Sequence, residues 1–239
     1  MQILFFIFLL AICASFIQRV SGFGFGIFVM IFFPLFLPSY GEATTLSGLL
    51  AGSTALIIAI RYFRDIEWKI MLPLLLINIV TSFFAIEYMT TLSNEILKKC
   101  FGWVFIAIAL YFLFLDSKKR ARLNWASKGL LGALSGIMGG MFAMPGPPLV
   151  VCCINSIKSN IAYVVTLQAF SVFLNIFYTI FRARVGFFNE NTMLWWAVGL
   201  LGAFIGSWLG ERLFSHISSA MLRKIVYTLL LVSGIFAIV

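Results

Sequence analysis

Few side chains in this 239-residue chain could do chemistry, and their pattern suits holding an anion rather than transforming one. Gln18 and Arg19 sit about 18 residues into an apolar run, just before the glycine-rich stretch Ser21-Gly-Phe-Gly-Phe-Gly26. An arginine inside a membrane segment is costly and marks a functional site, unless it snorkels to the interface. Both readings of Arg19 are open. Gln18 beside it adds a neutral donor. Gly22, Gly24 and Gly26 permit unusual backbone angles and close approach to a ligand. A segment restarting after such a break presents a helix N-terminus, whose free amides and positive dipole end favour anions.

The motif occurs twice. Ser21 to Leu35 returns as Ser135 to Leu149, displaced by 114 positions, with Ser21/Ser135, Gly22/Gly136, Gly26/Gly140, Pro34/Pro148 and Leu35/Leu149 among the coincidences. Paired Gly/Pro-broken segments in corresponding halves point to a transporter's binding site. The expected anion site is therefore Gln18, Arg19, Ser21, Gly22, Gly24 and Gly26 with Ser135, Gly136, Gly139, Gly140 and Gly146, the helices being broken by Pro34, Pro145, Pro147 and Pro148. Gln168 and Asn175, large polar residues of the second half, complete it. Ser47, Asn78, Ser82 and Ser171 either line a pathway or hydrogen-bond between helices. Gly199, Gly202, Gly206 and Gly210 read as a close-packing face.

These residues need a scaffold, and composition supplies its class. Hydrophobic residues are 62% of the chain and charged ones 10%, with a mean hydropathy of +1.08. Long apolar runs between short polar loops mean an integral membrane protein. The expected fold is all-α, because helices satisfy their own backbone groups in lipid. About eight transmembrane helices are predicted: 3–37 (broken near 21–26), 43–60, 70–89 and 96–115, then 129–154 (broken near 135–148), 161–181, 193–209 and 220–239. Residues 1–115 and 129–239 then form two four-helix repeats joined by a basic cytoplasmic linker, 116–128. Further matches, Thr45-Leu46 and Arg61 with Thr166-Leu167 and Arg182 at 121 positions, and 92–99 with 217–224 at 125, suggest small loop insertions in the second copy. An even number of spans per half sets both halves the same way up, as parallel repeats.

Loop charges orient the chain. One side receives ten cations, Arg61, Arg64, Lys69, Lys118, Lys119, Arg120, Arg122, Lys128, Arg182 and Arg184. The other receives six, Lys98, Lys99, Lys158, Arg212, Arg223 and Lys224. The richer side is assigned to the cytoplasm, with both termini there and the protein multi-pass in the cell membrane. The net charge of +9 lies in these loops, so nucleic-acid binding is excluded. Met1 to Phe16 has no basic n-region and reads as a first membrane segment rather than a cleaved signal.

Catalysis has no support. The single histidine, His216, sits in a loop near Glu211 and Arg212, and no phosphate-binding G-x-x-x-x-G-K-[ST] loop occurs. Cys13, Cys100, Cys152 and Cys153 form neither a CxxC pair nor a spaced metal set. No enzyme activity, cofactor or metal is expected. The partners expected are a small anion and the lipid bilayer, with homodimerisation open.

Gln18-Arg-Val-Ser-Gly-Phe-Gly-Phe-Gly26 followed by Pro34-Leu35, and Leu134-Ser-Gly-Ile-Met-Gly-Gly-Met141 with Pro145-Gly-Pro-Pro148, resemble the two half-motifs of the TauE/SafE family, the sulfite exporter or toluenesulfonate-uptake permease group. The resemblance extends over nearly the whole chain. It implies secondary transport of a small, often sulfur-containing anion such as sulfite, a sulfonate or sulfoacetate. Where other members often carry a triple glycine, this chain has Gly24-Phe25-Gly26. The expected mechanism is alternating access at a midplane site between the repeats; an anion channel or a non-transporting membrane subunit is the alternative.

Overall fold

The computed structural model describes residues 2–21, 24–114 and 123–213, together with positions 228, 231, 234, 235 and 238. Gly22, the side chain of Ser21, the cations at 118–122, His216, Arg223, Lys224 and most of the expected last span lie outside the described residues. Within them the chain is helical: α1 (Gln2–Ser21), α2 (Phe25–Phe36), α3 (Tyr40–Arg61), α4 (Trp68–Thr90), α5 (Asn94–Phe114), α6 (Trp125–Phe142), α7 (Gly146–Ser156), α8 (Asn160–Arg184) and α9 (Glu190–Leu213). Five of these, α1, α3, α4, α8 and α9, are long and apolar enough to cross a membrane, while α2 and α7 are apolar but short. Helix α6 starts inside the stretch assigned to the linker, capped by Asn124, whose carboxamide oxygen accepts from the Ser127 amide at 2.8 Å.

Each interrupted segment doubles back rather than running on. Phe36 returns beside Phe6, with ring centroids 6.2 Å apart, so α1 and α2 form a hairpin. Ser135 of α6 donates to the Pro145 carbonyl just ahead of α7 at 2.7 Å, and α6 and α7 pack together, so α7 turns back on α6. At about 1.5 Å per residue, the 12 residues of α2 reach roughly 18 Å, well short of a bilayer core of about 30 Å. The reversals depend on left-handed backbone: Gly24 has φ 104° and Ala143 has φ 56°. Pro34, expected to break a helix, lies inside α2 instead, and Pro147 and Pro148 sit in the first turn of α7, where a missing N–H costs no helical bond.

Helix directions follow from which residues meet. A Cβ added at Gly202, Gly206 or Gly210 would strike Phe8, Ile12 or Arg19 in turn, so α9 runs parallel to α1. Gly132, Gly136 and Gly140 step along Leu74, Asn78 and Ser82, so α6 runs parallel to α4. Glu42 meets Asn189 and Arg61 meets Glu211, so α3 runs with α9. Gly52 packs on Asn175 and the Thr44 carbonyl on Arg182, so α3 and α8 are antiparallel. Helices α1, α3 and α9 therefore point one way and α6, α8 and α4 the other. Because each hairpin adds a reversal, the parallel halves expected from an even span count are not what the chain forms.

Element bounds also correct the register. Adding 121 to the ends of α1, α2, α3 and α4 gives those of α6, α7, α8 and α9 to within two residues, with every pair opposite in direction where direction is fixed. Across these four pairs the offset does not drift, and the second member of the 125-position match of 92–99 with 217–224 lies outside the described residues. The 114-position glycine match aligns residues that occupy different places in the two hairpins.

Candidate functional site

The two hairpin tips meet. A Cβ at Gly26 would collide with the Ala143 carbonyl oxygen, and the tips together wall a cavity of about 70 Å³. Gly24, Phe25, Gly26 and Ile27 line it from the first tip, and Ala143, Met144, Pro145 and Gly146 from the second. Ala51 of α3 and Phe170, Ser171 and Asn175 of α8 close its sides, so it sits at the middle of the two helices that cross the centre. Gln18 forms part of its wall.

Helix α2 starts into this cavity with no side-chain cap; its first intrahelical bond runs from the Phe28 amide to the Gly24 carbonyl at 2.9 Å. The amides of Phe25, Gly26 and Ile27 precede that bond and have no helical acceptor. Helix α7 also begins uncapped, at Pro145, but Pro147 and Pro148 carry no N–H, so of its first three positions only Gly146 keeps an amide donor. The donors are thus unequal, three from one tip and one from the other. Both helices nonetheless aim a positive dipole end at one space. Asn175 anchors its amide group on the Ser171 carbonyl at 2.7 Å, and Ser47 Oγ is fully buried behind Gly26 without a hydrogen-bond partner.

The second tip is clamped by a buried polar network. Asn78 donates to Ser135 Oγ at 2.8 Å, Ser135 donates to the Pro145 carbonyl at 2.7 Å, and Tyr178 OH donates to Asn78 Oδ1 at 2.6 Å. Arg182 is fully buried. Its guanidinium donates to Gly139 O at 2.7 Å and Gly140 O at 2.9 Å, in the last turn of α6, and to Thr44 O of α3 at 3.0 Å. Gly139 O also accepts from the Ala143 amide at 3.0 Å, so Arg182 takes its second lone pair, and a cation at a helix C-terminus suits the dipole. The Arg182 guanidinium lies over the Tyr178 ring at 5.4 Å.

The first tip is held differently. Gln18 donates from Nε2 to Gln168 Oε1 at 3.2 Å and accepts from Thr54 Oγ1 at 2.9 Å. This bar separates the central cavity from a larger one of about 220 Å³, lined by Gln18, Gln168, Thr54, Arg19, Arg61, Ser207, Trp208 and Glu211 among others. In it Arg19 pairs with Glu211 at 3.0 Å, and Arg61 approaches the same carboxylate at 3.8 Å.

The expected site residues therefore divide. Gln18, Gly24, Gly26, Gly146 and Asn175 line the central cavity, and Gln168 borders the outer one. Arg19 faces the outer cavity, so it is not the charge at the centre. Ser135 belongs to the clamp. Gly136 and Gly140 pack on α4 and Gly139 on Tyr178, where any Cβ would collide; they serve helix packing rather than the cavity wall. Arg182, expected as a loop cation, is buried in the protein, and Tyr178, Thr54 and Glu211 are not among the expected site residues. The spacing Gln168, Ser171, Asn175, Tyr178, Arg182 is a polar stripe on one face of α8, a signal that could have found the clamp.

The chain matches the family model described as sulfite exporter TauE/SafE over residues 7–237. No curated protein and no solved structure matches the chain.

Proposed function

The chain belongs to the sulfite exporter TauE/SafE family, and on that premise we propose that it is a secondary transporter of a small sulfur oxyanion or sulfonate, bound between the two hairpin tips. The observation that carries this reading is the shared cavity: uncapped starts of α2 and α7 converge on one space at the middle of α3 and α8. Irregular backbone at that depth is tolerated only against protein or a water-filled cavity. Size narrows the cargo. A water needs on the order of 10–15 Å³ by the same measure, so about 70 Å³ suits an anion of sulfite size and is tight for an aryl sulfonate.

In this reading residues 1–115 and 129–239, joined by 116–128, are inverted copies of one unit, and rocking of one against the other exposes the cavity to either side. The structure then represents a form open toward Arg19, Arg61 and Glu211. Arg61, Arg64, Lys69, Lys128, Lys158 and Arg212 lie toward that end of the bundle, against Lys98, Lys99 and Arg184 toward the other, which favours the Arg61 end as cytoplasmic. Gln2 is at the opposite end, so this orientation puts the N-terminus outside, the reverse of the simple span count.

Counterflow of radiolabelled sulfite in proteoliposomes tests the reading. Saturable exchange, with no exchange of toluenesulfonate, is the expected result. Unsaturated conductance would instead identify a channel, and no flux of either anion would leave a non-transporting subunit.

A further inference from the structure

The 121-residue correspondence pairs Arg182 with Arg61, and the two carbonyls Arg182 holds, those of Gly139 and Gly140, with those of Gln18 and Arg19. Both arginines end a central helix of their half, and both approach the last turn of that half's first hairpin helix. Their states differ. Arg182 is fully buried and donates to its two carbonyls at 2.7 and 2.9 Å. The Arg61 side chain is 64% exposed, lies over the Tyr62 ring at 5.5 Å and approaches the Glu211 carboxylate at 3.8 Å. Around Arg61, with Gln18 and Arg19 on its wall, lies the outer cavity of about 220 Å³. Around Arg182 the neighbouring Tyr178, Asn78 and Ser135 are buried and bonded to one another.

We propose that Arg61 and Arg182 are alternate latches of the transport cycle. Each closes its own end by donating to the two carbonyls that terminate its hairpin's first helix, and one is engaged while the other is free. In the form described here Arg182 is engaged and the Arg61 end is open. In the opposite form Arg61 leaves Glu211, swings onto the Gln18 and Arg19 carbonyls and closes the outer cavity, while Arg182 lets go of Gly139 and Gly140. A planar fork with five donors suits two adjacent carbonyls, and a lysine does not reproduce it. Glu211 keeps the free Arg61 from needing a buried partner. Arg61 and Arg182 are positioning residues here; neither touches the cargo. The proposal rests on the transport reading above.

Ser207 lines the outer cavity, so a Ser207→Cys chain reports by maleimide labelling whether that cavity is open, measured over the labelling of the parent with its four native cysteines. Arg61→Ala removes the latch of the opposite form. It should label at or above the Ser207→Cys parent, lose at least tenfold in sulfite counterflow, and keep its sulfite-induced thermal shift. Arg182→Lys should shift the population the other way and label several-fold less. Counterflow by Arg61→Ala within twofold of the parent, or unchanged labelling in Arg182→Lys, overturns the proposal. Arg61 is exposed, so its variant should fold and decides alone if Arg182→Lys aggregates on size-exclusion chromatography. Should the parent itself fail to exchange sulfite, the transport reading falls, and labelling alone judges the latches: opposite shifts support them and equal labelling overturns them.

Discussion

The two hairpin tips share a backbone plan and differ in what holds them. Positions 121 apart carry Asn78 and Gly199, Ile57 and Tyr178, Ala14 and Ser135. Around the second tip these supply a tyrosine, an asparagine and a serine bonded to one another and to Pro145. Around the first they supply isoleucine, glycine and alanine, leaving the bar of Gln18, Gln168 and Thr54. One unit thus yields a sealed end and an accessible end. The packing glycines trade places too, lying on α6 against α4 in one interface and on α9 against α1 in the other. Helix contact is conserved between the halves while the polar chemistry is not. The difference between the ends therefore lives in side chains and not in topology.

Perturbations of matched positions should separate these roles, and the largest effect belongs to packing. Gly136→Val drives a side chain into Thr81 and the Asn78 carbonyl and should cost about 3 kcal/mol, read as a large fall in thermal stability in detergent. Asn78→Ala unpairs buried hydroxyls at the clamped tip and should cost about 2–3 kcal/mol, whereas Thr54→Val at the accessible tip should cost about 1 kcal/mol; equal losses in thermal unfolding would erase the contrast. Gly24→Ala forces an L-residue into left-handed backbone and should cost about 1–2 kcal/mol, while Ala143→Gly should stabilise by less than about 1 kcal/mol. The smallest effect is at Glu211. Its exposed pairs with Arg19 and Arg61 are worth no more than about 1 kcal/mol, so Glu211→Gln should barely move the melting temperature.

Apolar length was legible, since α3, α4, α5, α8 and α9 reproduce predicted spans to within four residues, while α1 ends at the glycine break of the predicted 3–37. Direction was not. Hydropathy reports that 3–37 is apolar with a glycine break, and a hairpin and a kinked rod give the same profile; only the return of Phe36 to Phe6 tells them apart. Register failed for a related reason. Glycine is used both at turns and wherever helices touch closely, so matching Gly26 to Gly140 paired a cavity-wall glycine with a packing one. Thr45-Leu46 and Arg61 against Thr166-Leu167 and Arg182 already carried the correct offset. Arg182 was misread because the positive-inside rule counts cations at span ends and takes no account of tertiary burial. Gly24, Gly26 and Gly146 do line the central cavity.

The proposed anion site takes its main-chain donors from two reversed segments, and Gly146 is the position that exposes this proposal to direct measurement. A Cβ there meets nothing within 4 Å, so Gly146→Val should fold with an unchanged melting temperature while filling the space between the tips. Saturating sulfite should raise the melting temperature of the parent, a stabilisation of about 2.7 kcal/mol at a hundredfold excess over Kd, and leave Gly146→Val unmoved. An equal sulfite shift in both proteins would mean that the anion binds elsewhere.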